Sequence, residues 1–292
     1  MQTVTNRFTK NVKRNRILNK INKVFISIFT AGTLLMIFFL LLLILKKGLF
    51  TINWHFLTGL PEEIDSGGGV GPFLFNTFYA LVISLVISLP IGLGAGIYLA
   101  EYAKKNRTTE MISTCVEALA SVPSIIFGLF GYVLFVEVFD IGLTIIGAAI
   151  TLSFLNLPVL TRVIEESIKS VPNSYREASY ALGASKATCI LTVVLPSALS
   201  GILTGISLAA CRALGESAII LLAGGTSASD KMWDFSLMSP GATLPVQLWY
   251  IQSEALVEDA KKIADESSAL LVVIILLFSI LLRLPSMLKK HK

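Results

Sequence analysis

Residues 174–196 read SYREASYALGASKATCILTVVLP, and the reading of this stretch decides the architecture on both sides of it. It has a strong helical pattern but too few consecutive apolar residues to cross a bilayer, which takes about 20. Ser174 followed by Glu177 has the spacing of a capping box, in which the serine hydroxyl caps the Glu177 backbone N–H and the carboxylate reaches back. Pro172 punctuates the start, because a proline pushes the residue before it out of helical geometry. The helix then runs over the small side chains of Ala178, Ser179 and Ala181 to Gly183, which can take the left-handed conformation that ends a helix. A second helical run, Ser185 to Val194, leads through Leu195 and Pro196 into the next apolar segment. The stretch therefore predicts a protruding knob of helix, glycine corner and helix, with side chains small enough for close docking into a partner's groove.

The flanking sequence is strongly apolar. The chain is 54% hydrophobic and 15% charged, with a mean hydropathy of +0.76, against about 25% charged in soluble domains. Several apolar runs of about 20 residues predict an all-α integral membrane protein. The net charge of +5 does not point to nucleic acid, because the basic residues sit at the ends of the apolar runs, where membrane topology accounts for them. Cys115, Cys189 and Cys211 lie in spans or on the inner side, so no disulfide is expected, and no CxxC spacing suggests a metal. His55 and His291 are isolated, which argues against a histidine-based catalytic or metal site.

Taken in order, residues 1–23 form a basic cytoplasmic N-terminus with Arg7, Lys10, Lys13, Arg14, Arg16, Lys20 and Lys23 and no acidic residue. Residues 24–45 are a first span; Lys46 and Lys47 follow directly, unlike a cleaved signal peptide. The outer loop 46–72 holds Glu62, Glu63 and Asp65, then Ser66 to Pro72 (SGGGVGP), which reads as a flexible lead into span two. A phosphate cradle is the less favoured alternative, because the Gly-Lys-Ser/Thr ending of a P-loop is missing. Span two covers 73–100, bent near Pro90. The loop 101–110 is inside, with Lys104, Lys105 and Arg107. Span three covers 111–136 with Pro123 in its interior, and Glu137 and Asp140 mark a tight outer turn before span four at 141–160. The connection 161–196, with Arg162, Lys169, Arg176 and Lys186, is inside. Span five covers 197–223. The acidic segment 224–267 is outside, and residues 253–268 at its end read as a solvated amphipathic helix or a contact for an extracytoplasmic protein. Span six, 268–284, leads to a basic tail, 285–292. About eighteen of the 24 Lys and Arg fall inside and about five outside, which by the positive-inside rule gives six spans with both termini cytoplasmic.

Arg212 and Glu216 fall within span five, where a charge costs at least about 2.5–3.5 kcal/mol and normally faces a bundle interior or a water-filled path. A spacing of four puts both on one helix face, where they can pair. The adjacent face carries Gly201, Gly205, Ala209, Ala213 and Ser217, small residues that let another helix approach. Two readings follow: a structural salt bridge between helices, or an anion relay in which the guanidinium fork meets phosphate oxygens and Glu216 holds Arg212 or accepts a proton-bearing oxygen. Arg162 likewise reads as an anion contact at the cytoplasmic exit or as a snorkelling inner arginine. Glu117 is expected at a polar interface.

The knob resembles the EAA loop of ABC-importer permeases, whose pattern is E-A-A, three residues, G, nine residues, I, one residue, L-P. Glu177, Ala178, Ser179, Gly183, Val193, Leu195 and Pro196 stand at those positions, with serine for the second alanine and valine for isoleucine. Gly67–Pro72 (GGGVGP), Glu117–Gly131 (EALASVPSIIFGLFG), Arg212–Glu216 (RALGE) and Thr243–Trp249 (TLPVQLW) are similar to phosphate-specific permeases of the PstA type, so the likeness runs from span two to near the end of the chain. The paralogous PstC type shares the span-three and RALGE features; TLPVQLW and the short N-terminus favour PstA.

The resemblance implies a type I importer fold located in a prokaryotic plasma membrane. It implies a PstC-like second permease, a dimer of ATPase subunits seated on the coupling helix (about 174–190), and an extracytoplasmic phosphate-binding protein. Glu177, Ala178, Ser179, Gly183, Leu195 and Pro196 would couple to the ATPase, and an arginine at the position of Arg212 is associated with phosphate passage; Arg162 also stands at a family arginine position. ATP and Mg would reside on the partner, since the chain has no Walker motif, and no cofactor or catalytic residue is expected here. The competing readings are a permease for sulfate, molybdate or an organic solute, an ion-coupled secondary transporter without an ATPase, and an intramembrane enzyme. Inverted repeats would favour the secondary transporter and are not visible in the sequence. The enzyme lacks HExxH, Gly-x-Ser-x-Gly or a carboxylate pair.

Overall fold

A computed structural model describes residues 2–62, 67–104, 106–254 and 257–289. Glu63, Asp65, Ser66, Lys105 and the last three residues of the basic tail lie outside the described residues. Every regular element among those described is helical. The first helix, α1, runs Gln2–Gly48 without a break, and α2 is a short helix, Trp54–Thr58. Span two is α3, Gly71–Ile97, extended by a π-helical turn at Tyr98–Tyr102. Next come α4 (Arg107–Ala120), α5 (Ser124–Gly131, then a π-helical stretch Tyr132–Val138) and α6 (Ile145–Lys169). The knob is α7 (Asn173–Ala181) with α8 (Lys186–Cys189). A π-helical turn at Ile190–Val194 joins α8 to α9 (Leu195–Leu214), and α10 (Ala218–Ala223), α11 (Leu244–Ser253) and α12 (Ala260–Lys289) complete the chain.

Among the described residues, five helices are long and apolar enough to cross a membrane: Leu18–Gly48, Gly71–Tyr102, Ile145–Lys169, Lys186–Leu214 and Ala260–Leu282. The sixth expected span, 111–136, is not one helix. Arg107–Ala120 and Ser124–Val138 meet at 91°. The break falls where Pro123, with φ −57° and ψ 138°, ends the first helix, as a proline forces extended geometry around its own position. The first half is also too polar for a span, with Thr108, Thr109, Glu110, Ser113, Thr114 and Glu117, and none of its residues is buried.

Four further boundaries differ from the sequence reading. Span four begins at Ile145 and runs nine residues beyond 160, so the expected 161–196 connection is almost wholly helical; Thr144 sets its start, its hydroxyl accepting from the Gly147 N–H at 3.4 Å. Span five ends at Leu214 and restarts at Ala218. The last helix begins at Ala260, and Ile263, Ala264, Glu266 and Ser267 are buried, so 260–268 is the buried start of the final span instead of a solvated helix. The glycine run before span two is packed, not flexible: the N–H groups of Gly69, Val70 and Gly71 donate to the carbonyls of Leu60, Phe56 and Gly59 at 2.7, 2.8 and 3.1 Å. A Cβ on Gly69 would lie 2.5 Å from Gly59, which is why only glycine fits there.

The helix α6 is the hub. It packs against α3, α4, α5, α9 and α10. Leu152 and Leu155 belong to an outer core with Leu81, Leu214, Ile220 and Leu244, while Leu160, Ile164 and Ile168 belong to an inner one with Cys189, Val194 and Ile202. The approach of α3 is close because a Cβ on Gly96 would meet Ile164 Cγ2 at 2.6 Å. Overpacking of this kind costs about 1–3 kcal/mol. Gly96→Ile is therefore expected to lower the thermal unfolding midpoint of the detergent-purified chain. Gly94→Ala, two residues away where nothing lies within 4 Å, should leave it unchanged or raise it.

Candidate functional site

The knob is built as the glycine corner requires. Gly183 has φ +80°, its N–H donates to the Tyr180 carbonyl at 2.9 Å, and the Ala184 N–H donates to the Ser179 carbonyl at 3.2 Å. Together these form a complete Schellman ending. The capping box is absent. Pro172 occupies the N-cap position without a side-chain bond, and α7 begins at Asn173, which places Ser174 inside the first turn and out of reach of a capping role. Ser185 supplies a cap instead at α8, its hydroxyl accepting from the Thr188 N–H at 3.2 Å. From Lys186 the helix continues to Leu214. The Leu195 N–H reaches back five residues to the Ile190 carbonyl, and this widened turn accommodates Pro196, which lacks an N–H and would crowd a regular helix. Glu177, Ala178 and Gly183 are exposed, Leu182 is 90% exposed, and Ser179 alone of the Glu-Ala-Ser triplet turns inward.

What holds the knob was not legible as a site in the sequence, where Arg176 counted only as an inner positive charge. Its guanidinium donates from Nη2 and Nε to Glu101 Oε1 at 2.7 and 3.0 Å, from Nη1 to the Val171 carbonyl at 2.7 Å, and from Nη2 to the Ile168 carbonyl at 3.0 Å. Lys186 Nζ donates to the Glu101 carbonyl at 2.5 Å and sits 4.5 Å from the Tyr102 ring centre. The inner ends of spans two and four and both helices of the knob thus meet at one ion pair. The available signal was Glu101 itself, an acidic residue directly ahead of the basic Lys104, Lys105 and Arg107.

Arg162 is engaged by carboxylates, with its side chain 38% exposed. Its guanidinium lies 2.8 Å from Glu166, 3.1 Å from Glu117 and 3.8 Å from the buried Glu165, which also pairs with Lys169. The contact to Glu117 ties α4 to α6 and places Glu117 at a polar interface, as expected. The Arg212–Glu216 pair is not formed. Gly215 caps α9, so the two residues do not share a helix, and Glu216 Oε1 instead accepts from the N–H groups of Ala218 and Ile219 at 3.1 and 3.4 Å, capping α10. Arg212 is exposed on the last turn of α9 and makes no ion pair or side-chain hydrogen bond among the described residues. The small-residue face does bring a helix close: a Cβ on Gly201 or Gly205 would meet Ser167 Oγ or Val163 Cγ1 at 2.5 Å. Continued along α6, that antiparallel register sets Arg212 level with Asn156, a buried residue whose two amide atoms have no hydrogen-bond partner among the described residues.

Spanning helices of this number and apolarity, together with the relatives below, make this a multi-pass plasma-membrane protein. The chain belongs to the family described as binding-protein-dependent transport system inner membrane component, which matches residues 88–286. It is therefore a permease of an ABC importer and not itself an enzyme. It is 38% identical over 250 residues to a probable ABC transporter permease protein, YqgI, of Bacillus subtilis, covering 82% of this chain and 85% of that one. It is 34% identical over 260 residues to the phosphate transport system permease protein PstA of Yersinia pestis, covering 84% and 86%. The fold is that of type I importer permeases: an inward-facing methionine ABC transporter, MetNI, aligns with a TM-score of 0.56 at 22% identity, over 75% of this chain and 93% of that one.

The Arg176 cluster generates a direct test. Its partner Glu101 is 7% exposed at the side chain, and stranding one member of a buried pair costs about 3–5 kcal/mol. Arg176→Ala should speed hydrogen exchange and proteolysis across 173–189 while leaving α3 and α6 protected. Arg176→Lys should restore little, because a single ammonium cannot reproduce the four-bond fork.

Proposed function

We propose that this chain is one of two permease subunits of an ATP-driven importer of inorganic phosphate. The observation that carries the reading is the unbroken helix from Lys186 to Leu214, which joins the exposed knob to Arg212, a guanidinium with no acceptor among the described residues. Arg212 lies fifteen residues past Ser197, about 22 Å at 1.5 Å per residue, within a hydrocarbon core about 30 Å thick. A charge held there without a partner is retained where it lines a water-filled path, and guanidinium presents a planar donor fork suited to phosphate oxygens. The relatives named as phosphate transport permeases support that choice of anion.

In this reading an ATPase dimer, which carries the ATP and Mg, seats on the knob at Glu177, Ala178 and Leu182. Gly183 sets the corner, Ser179 packs it, and Leu195 and Pro196 form the joint into span five. A PstC-like permease faces Arg212, and a phosphate-binding protein delivers from outside. Closure of the ATPases moves the knob, and the Arg176–Glu101 tie carries that movement into spans two and four as well as five. Glu216 acts on the path by fixing the start of α10, and Arg162 by tethering α4 at the inner exit.

Arg212→Ala is expected to abolish phosphate uptake by the assembled importer in proteoliposomes while leaving subunit co-purification intact. Retained uptake would remove Arg212 from the path, loss of assembly would make it structural, and uptake of sulfate in place of phosphate would overturn the choice of anion. Gly183→Val places a β-branched residue at positive φ, at a local penalty of about 1–2 kcal/mol, and should reduce ATPase co-purification without unfolding the spans.

A further inference from the structure

The outer loop between α10 and α11 is fastened to two spans. Tyr79 Oη donates to the Phe235 carbonyl at 2.9 Å and Asn76 Nδ2 to the Ala242 carbonyl at 3.0 Å. The first N–H groups of α6, those of Ile145 and Ile146, donate to the carbonyls of Ser239 and Leu237 at 2.9 and 3.1 Å. Inside the loop, Asp234 accepts from Ser239 Oγ at 2.6 Å and from the Ser236 N–H at 3.0 Å. Hydrogen bonds from Ser239, Ser229 and Ser236 lower its pKa to about 2, so its charge is internally satisfied at neutral pH.

On this frame Trp233 and Phe235 pack edge-on against Phe75, with ring centres 5.6 and 5.0 Å apart, and Phe75 stacks on Tyr79 at 5.3 Å. Trp233, Phe235 and Met238 nevertheless remain 63%, 66% and 62% exposed. An exposed apolar cluster on a rigid loop marks an interaction surface.

Its position relative to α3 says what covers it. Phe75, Tyr79, Val82 and Val86 recur at helical spacing on one face, and Val82 and Val86 are exposed, so the cluster continues an apolar, outward-facing stripe of a spanning helix. With its π-helical turn α3 has 32 residues, about 48 Å, against a hydrocarbon core of about 30 Å, which leaves about 9 Å beyond the core at each end. Tyr79 is eight residues from Gly71, about 12 Å along the helix, and so lies at the boundary between headgroups and acyl chains. At the opposite end the exposed Tyr98 and Tyr102 mark the inner boundary. Tryptophan and tyrosine concentrate at these two levels.

We propose that residues 231–238 form an outer-leaflet anchor, with Trp233, Phe235 and Met238 resting in the headgroup–acyl boundary of the phospholipid bilayer. Lys231, exposed at the edge of the cluster, extends toward the lipid phosphates. The anchor fixes the outer end of span two against the start of span four, and it does not depend on which solute the importer carries.

The test uses Trp233 as its own reporter. The full chain and its Trp233→Phe variant, which keeps the aromatic packing, are reconstituted in phosphatidylcholine vesicles brominated either near the glycerol end or near the methyl end of the acyl chains. The difference between the two emission spectra isolates Trp233 from Trp54 and Trp249. Lipid brominated near the glycerol end should quench that difference more strongly than lipid brominated near the methyl end, and aqueous iodide should barely affect it. Quenching by iodide without quenching by bromolipid would overturn the proposal in favour of a water-facing surface suited to a protein ligand. Quenching by bromolipid in the isolated chain that vanishes in the assembled importer would overturn it in favour of a permease–permease contact. A second reporter, Met238→Trp in the Trp233→Phe background, reads the same depth from the other end of the loop, and a result opposite to that of Trp233 would also sink the idea.

Discussion

The guanidinium of Arg176 is the constraint on which the inner half of the molecule depends. One planar group satisfies a carboxylate at the end of span two and two carbonyls at the end of span four. The Ile168 carbonyl lies in the last turn of α6, where it also accepts from the Val171 N–H at 3.2 Å, and the Val171 carbonyl lies just past the helix end. Because Glu101 is almost fully enclosed, the arrangement tolerates neither partner alone. A force applied to the knob therefore reaches two spans through hydrogen bonds and a third through covalent helix. A lysine at this position would supply charge but not the fork geometry, so the tie rests on shape as much as on electrostatics.

The outer half depends on breaks. Span three is interrupted before Pro123 and span five at Gly215, and the short helices beyond the two breaks pack on each other through Gly128, where a Cβ would lie 2.9 Å from Leu222 Cδ1 and 3.0 Å from the Ala218 carbonyl. Backbone freed within a membrane must be satisfied by protein or by water. Glu216 does this for the start of α10, spending its carboxylate on two backbone N–H groups. That duty separates it from Arg212 and leaves the arginine as the exposed donor of span five. Arg162 shows the opposite outcome: three carboxylates surround it, and it works as a tether between α4 and α6.

Local, periodic features were readable in the sequence. The apolar runs, the glycine corner at 183 and the helical character of the knob all rest on interactions within a few residues of each other, and the structure carries them. Span ends were less readable, because apolar content tapers gradually while the helix ends are set by particular groups: Thr144 at the start of span four, Gly215 inside span five, and the buried positions that draw 260–268 into the last helix. The glycines before span two look like a flexible lead in composition alone. Their small size serves instead to let two backbone segments touch.

The sequence by itself determined that this is a helical membrane protein and supplied the charge bias and the motif that go with its family. Those properties follow from hydropathy, charge bias and short spacing, each a sum over neighbours along the chain. Only the tertiary structure decided the partners of the charged groups. A four-residue spacing suggested Arg212 with Glu216, whereas Glu216 turned to the backbone and Arg176 found Glu101 across 75 residues. The physical reason is that an ionised group in a weakly polar interior takes whichever acceptor the packed helices bring within about 3 Å. Helix packing, fixed by glycines and small residues at the crossings, brings together groups that have no proximity in the sequence.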